Sequence, residues 1–163
     1  MGVPQTGDSV QSGELLRREA VAARVGAGSK RAALGAVAEI ASKRLGQPAN
    51  KLLSALQERE KHGSTGIGQG VAVPHAHVKG LDHPVGVFIK LETPVAFDAV
   101  DDRPVDLIFA LFAPEDAGVE HLRALARVSR LLRQGELREQ LRQARSADAM
   151  FALLSREAKS NAA

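Results

Sequence analysis

Apolar residues recur with two different periods along this chain, and they sort it into a helical beginning, a strand-rich middle and a helical end. Leu34, Val37, Ala38, Ala41 and Leu45 lie three or four positions apart, which is the spacing of one face of a helix. Ser29 predicts the N-cap of that helix and Gly46 its end. Asn50 predicts the next N-cap, with a helix over 51–61 and Gly63 as its stop. Upstream, "AVAARV" (20–25) reads as a strand. In the middle, Val71–Val73 is a short strand closed by Pro74, which has no N–H to give to a ladder, so His75 falls just past its end. "VGVFIKLE" (85–92) puts Val85, Val87, Ile89 and Leu91 on one face and predicts a half-buried strand ended by Thr93-Pro94. "FDAVDDRP" is a polar turn, and "VDLIFALFA" (105–113) predicts a strand buried on both faces.

The last third returns to the helical period. Pro114-Glu115-Asp116 opens a helix with acidic residues that suit its dipole. Leu122, Leu125, Val128, Ser129 and Leu132 carry its apolar stripe to about Arg133. Gly135 breaks it, Leu137 and Leu141 mark a short helix, and Ser146 caps a last one through Leu154. Helices on either side of a strand-rich middle predict an α/β fold: one domain, a mixed β-sheet flanked by α-helices on both faces. The expected boundaries are a disordered N-terminal tail at 1–13, a folded domain at 14–155 and a frayed C-terminal tail at 156–163.

Composition narrows the function classes. The chain has 163 residues, enough for one domain with a real core. It has no cysteine, which excludes disulfides, thiol catalysis and cysteine-ligated metals. No apolar run reaches the roughly 18 residues of a membrane span, and the first thirteen residues do not resemble a signal peptide. The expectation is a cytoplasmic protein with no membrane insertion. Twenty-two basic residues face 19 acidic ones, for a net charge of +3. That excess is small, and there is no Trp or Tyr to stack on bases, so nucleic acid is not an expected partner.

The chemistry-bearing stretch is "STGIGQGVAVPHAH", Ser64 to His77. Gly66, Gly68 and Gly70 are spaced G-x-G-x-G, follow a helix and precede a strand. Neither the dinucleotide fingerprint nor the P-loop has that order. They are either a turn that lets backbone approach backbone or a loop whose N–H groups cradle phosphate. His75 and His77 form H-x-H, which on a strand puts both rings on one face; without a further ligand this is no metal site. His62 and His83 read as solvent-facing loop residues and His77 as structural or exposed. Thr65 either bonds within the site or stabilises the turn. Arg123, Arg127 and Arg130 share a helix face, as a solvated surface, as a patch for an acidic partner, or as a contact for the DNA backbone, the last lacking any sign of the recognition helix or dimer it would need.

Glu60, six residues, Ile67-Gly68, two residues, then Val71-Ala72-Val73-Pro74-His75-Ala76 resembles the signature of type-2 enzyme IIA domains. These form the fructose, mannitol and nitrogen-regulatory branch of the bacterial phosphoenolpyruvate-dependent phosphotransferase system. "DLIFALFAPEDAGVEHLRALARVSRLLR" and "SADAMFALL" are similar to the nitrogen-regulatory members, so the resemblance covers about 14 to 154. It departs at Ala76, where glycine is common. The resemblance implies a phosphocarrier with His75 as phosphoryl acceptor, Arg59 and His121 as partners in the site, and no cofactor or metal. It implies phosphate taken from an HPr-like carrier and regulatory targets of the kind that nitrogen-type proteins act on, such as a potassium transporter or a sensor kinase. The alternatives are a fructose/mannitol-type component of sugar uptake and a non-catalytic binding module. The chemistry suits these residues: a neutral imidazole is a nucleophile near pH 7, and phosphoryl transfer is catalysed mainly by positioning and charge stabilisation.

Overall fold

The computed structural model describes residues 15–162; the tail expected at 1–13 lies outside the described residues. After a 3₁₀ turn at Arg18–Ala20 come β1 (Val21–Val25), α1 (Lys30–Leu45) and α2 (Ala49–Glu60). Then follow β2 (Gly66–Gly68), β3 (Val71–Ala72), β4 (His75–Val78), β5 (Val85–Val95) and β6 (Val105–Pro114). The chain finishes with α3 (Gly118–Leu132), α4 (Gly135–Gln143) and α5 (Ala147–Ala162). Among the described residues the six strands form one mixed sheet in the order β1-β5-β6-β3-β2, with β4 also on β6. β1 is parallel to β5, β5 antiparallel to β6, and β3 and β4 run parallel to β6 one after the other.

β6 is the axis of the molecule. Leu107 through Pro114 are all buried, as a strand covered on both faces requires. α1 and α2 pack together and onto β5 and β4. α3, α4 and α5 pack together and onto β6 and β1. The helices therefore flank the sheet on both faces, as the sequence predicted.

β5 departs from its expectation twice. It is buried on both faces, not one, because it lies between β1 and β6 under two helical layers. The polar position that mimics alternation, Lys90, lends its charge to a helix end: its Nζ donates to the carbonyls of Leu141 (3.5 Å), Arg142 and Ala144 (3.2 Å) at the close of α4. β5 also runs past Thr93-Pro94 to Val95. Its ladder with β6 is irregular between Lys90 and Val95, so the proline sits where no regular bond is asked of it.

The helix ends show which local signals win. Ser29 caps α1, its Oγ accepting from the Ala32 N–H at 3.1 Å, and Gly46 closes it with φ 69°. Asn50 is not a cap: Pro48 holds that position, its carbonyl accepting from the Lys51 and Leu52 N–H groups at 3.2 and 3.3 Å, and α2 begins at Ala49. Glu115 and Asp116 lie in the turn before α3, and Glu120 is the acidic residue of its first turn. Gly135 does not break a helix but begins α4; the break falls at Arg133 and Gln134. Ser146 caps α5 at 3.1 Å, and α5 continues past Leu154 to Ala162.

The apolar stripe of α3 is rotated from its expected place. His121, Ala124, Val128, Leu131 and Leu132 are buried, whereas Leu122 is exposed. His121 takes the inward position in the first turn, and its neighbour Leu122 is thereby turned out.

Candidate functional site

Pro74 interrupts the sheet without ending it. The ladder along β6 pairs Ala72 with Ile108, skips Val73 and Pro74, and resumes with His75 opposite Leu111. Across the gap, Val73 donates to the Thr65 carbonyl and Pro74 accepts from the Leu111 N–H, both at 2.9 Å. His75 is therefore the first residue of β4 and not a loop residue beyond a strand, and its backbone is fixed by β6. Strand alternation puts His77 on the same side of the sheet as His75, with buried Ala76 on the other.

The half-buried His75 ring has a defined tautomer. Its Nδ1 lies 2.9 Å from the Val73 carbonyl, and a carbonyl can only accept, so Nδ1 carries the proton. Nε2 is left with a lone pair. Arg59, at the end of α2, donates to it from Nε at 3.1 Å and anchors its Nη1 on the Gly63 carbonyl at 2.8 Å. Burial, more than any other influence, lowers the His75 pKa below the ordinary histidine value; the Val73 bond opposes the shift, Arg59 adds to it, and Glu60 opposes it. The ring is neutral at pH 7 and Nε2 carries no proton.

His121 completes a cluster. It is 5% exposed, and neither ring nitrogen has a hydrogen-bond partner. Its ring lies 5.3 Å from that of His75 and meets the His77 ring edge-on at 4.6 Å. Burial chiefly, then His75 and His77, lower its pKa to about 4, so it too is neutral and keeps one N–H with nothing to donate to. The resemblance implies His121 as a site partner, and the structure buries it beside His75. His77 is exposed, as expected, yet it touches the cluster.

Around Arg59 stands a frame that sequence reasoning did not identify. The Glu60 side chain is 5% exposed and pairs with Lys30 Nζ at 2.9 Å. Its carboxylate also accepts from the Thr65 N–H at 3.2 Å and from the Thr65 hydroxyl. Lys30 lies 4.7 Å over the Phe97 ring. Thr65 thus stabilises the turn, and the short loop that carries the Gly63 carbonyl is strapped to the end of α2. Glu60 was legible as part of a motif, but its partner Lys30 is thirty residues away and no spacing rule joins them.

The glycine stretch is tied to neighbouring groups of the protein. Gly66 donates to the Ser64 hydroxyl at 3.0 Å and the Gln69 N–H to Asp101, in the turn between β5 and β6, at 3.0 Å, so these two donors are spent on the protein's own groups. A Cβ on Gly66 would fall 2.7 Å from that of Ala99. Gly70, at φ +78°, lies against Asp106 and Arg142, which form a bidentate ion pair with contacts of 2.9 to 3.2 Å. The G-x-G-x-G stretch is β2 and a tight turn that lets backbone and side chains approach closely.

Other candidates stand apart. His62 is exposed, and His83 bonds Asp82 at 2.5 Å near the surface. Arg123 and Arg130 are exposed and Arg127 half-buried, and none of the three forms an ion pair among the described residues. Among the described residues no group of three His, Asp or Glu side chains is placed to hold a metal ion, and no helix is long and apolar enough to cross a membrane.

Comparison with known proteins places this arrangement in a family. The chain is 40% identical to the nitrogen regulatory protein of Bradyrhizobium diazoefficiens over 142 residues, covering 87% of this chain and 93% of that one. It is equally identical to the nitrogen regulatory protein of Escherichia coli, over 90% of this chain and 91% of the other. Among solved structures, nitrogen regulatory protein IIA-Ntr from Neisseria meningitidis superposes with a TM-score of 0.82 at 37% identity, over 87% of this chain and 97% of that one. The mannitol IIA of Escherichia coli superposes at 0.71 with 25% identity, over 85% and 97%. The family description "Phosphoenolpyruvate-dependent sugar phosphotransferase system, EIIA 2" matches residues 14–157, and the chain belongs to that family.

Proposed function

We propose that this protein is a phosphocarrier of the nitrogen-regulatory type, with His75 Nε2 as the atom that accepts the phosphoryl group. The observation that carries this reading is the pair of bonds on the His75 ring: Nδ1–H to the Val73 carbonyl, and Nε2 facing the Arg59 guanidinium. In the resting site Arg59 occupies the lone pair. An incoming phosphohistidine on a small HPr-like carrier displaces that bond. The Nε2 lone pair forms the new P–N bond, the donor's P–N bond breaks, and its electron pair returns to the donor ring. Nδ1 keeps its proton on Val73 throughout.

The residues around the ring supply positioning and charge. Arg59 remains anchored on Gly63 and turns the rest of its fork to the phosphoryl oxygens, a planar donor geometry suited to them. His121 gives its unspent N–H to another oxygen. Both aids act in a half-buried place where electrostatic help is worth most. Regulatory duty is favoured over sugar uptake because the nitrogen regulatory relatives at 40% identity match across 87 to 90% of the chain, whereas fructose-specific components at 38% match only 58 to 64% of it and the mannitol protein stands at 25%. On this reading the protein works in the cytoplasm, and its regulatory targets are of the potassium-transporter or sensor-kinase kind.

The test is incubation with labelled phosphoenolpyruvate, enzyme I and the carrier. The expected result is one acid-labile phosphoryl group per chain, lost in His75→Ala with folding preserved. Label that persists in that variant, or none in the wild type, overturns the reading and leaves a binding module.

A further inference from the structure

We propose that His77 is a positioning residue of this site: laid edge-on against His121, it keeps that imidazole dry and correctly turned until a phosphoryl group arrives. The proposal deepens the phosphocarrier reading and rests on it for its kinetic consequence.

The starting observation is the state of His121. A buried polar group without a partner costs about 1–3 kcal/mol and is uncommon in native proteins, yet both ring nitrogens of His121 are in that state. The backbone of His121 is held by its N–H bond to the Ala117 carbonyl at 2.9 Å. No hydrogen bond fixes the rotation of the ring. Two ring contacts flank it: His75 at 5.3 Å, tilted, and His77 at 4.6 Å, edge-on.

His77 is well built for such a task. Its backbone pairs with Ala113 of β6, two places along from the pairing of His75 with Leu111. The strand that fixes the acceptor therefore fixes His77 to the same tolerance. His77 is itself exposed, so water serves its own polar edge while its ring covers His121. Without the ring, water reaches the His121 nitrogens, satisfies them, and leaves the imidazole free to turn. The donor is then spent before the phosphoryl group comes, and a small loss of alignment is enough to slow a positioned reaction. An exposed residue adds little to the core, so its removal acts on the site and not on the fold.

The experiment compares wild type, His77→Ala and His77→Phe, the last keeping an aromatic edge without ring nitrogens. Transfer is measured from the carrier, charged by enzyme I and phosphoenolpyruvate, and the His121 ring is titrated by NMR. In His77→Ala, kcat falls about tenfold with KM for the carrier unchanged, and the His121 titration rises from about 4 toward the ordinary value. His77→Phe restores kcat to within about twofold of wild type and raises the titration less than His77→Ala does, since it gives up the His77 charge but keeps the ring dry. A raised KM with unchanged kcat makes His77 a docking residue and overturns the proposal. So does an unmoved His121 titration in His77→Ala, or a failure of His77→Phe to rescue. If wild type takes no phosphoryl group, the phosphocarrier reading fails, and the titration still decides whether His77 governs His121.

Discussion

The two ends of β6 lie beside polar side chains that are used in opposite ways. Near its start, Asp106 receives Arg142 in a bidentate pair, the same guanidinium donates to the Gln69 carbonyl at 2.7 Å, and Lys90 caps the end of α4. Each of these side chains has its partner, a carboxylate for Arg142 and carbonyls for Lys90. Roughly 16 Å along the strand, opposite Leu111, stands His75, with a lone pair covered by one displaceable bond and a neighbour, His121, bonded to nothing. A closed polar network fixes a fold, whereas one with an unused donor and a lone pair held by a single displaceable bond is prepared for something not yet bound. The same sheet supports both, because backbone pairing with β6 sets each end.

The contrast can be broken most sharply at Arg59. Arg59→Ala should slow phosphoryl transfer about a hundredfold or more while the melting temperature stays near that of wild type, since the side chain is only half-buried. Rapid-quench transfer assays and calorimetry check this together; unchanged transfer would make Arg59 a piece of the helix end. Next comes pH. His121 has a native pKa of about 4 and an unfolded value near 6.5, so between these the unfolded chain binds a proton that the native chain refuses. Stability is then unaffected above about pH 6.5 and falls as pH drops toward 4, by up to about 3 kcal/mol from this group. Urea melts across that range measure it, and His121→Asn should flatten the slope. His75, also shifted downward, loses stability in the same direction.

The smallest effect belongs at the closed end. Asp106→Ala leaves Arg142 without its carboxylate and should cost about 2 kcal/mol, less than a fully buried pair because both side chains retain some exposure. Transfer per folded molecule should not change. If it fell as far as in Arg59→Ala, the two ends of β6 would not be separable in the way their bonding suggests.

Much of this molecule was legible in the sequence because local rules dominate there. Ser29 and Gly46 bound α1 as their chemistry requires, and the unbroken apolar run of β6 announced a strand covered on both faces. Family resemblance pointed to His75, Arg59 and His121, and the fold brings these three together. The errors fall where tertiary contacts overrule a pattern. Lys90 looked like the exposed position of a half-buried strand, but three carbonyls distant in sequence let it lie within a covered one. Leu122, expected on the apolar stripe of α3, is turned out because its neighbour His121 takes the inward position. The glycines read equally as turn or phosphate cradle until the loop's donors were traced to Ser64 and Asp101. Lys30 with Glu60, and Asp106 with Arg142, join segments that no spacing connects, so only the folded chain reveals them.

The most direct test of the whole account is which ring nitrogen of His75 takes the phosphoryl group. Long-range proton–nitrogen NMR spectra of the phosphorylated, nitrogen-15-labelled protein distinguish the two. Phosphorylation at Nε2 with Nδ1 still protonated is the expected result; an adduct at Nδ1, or on another histidine, would contradict it.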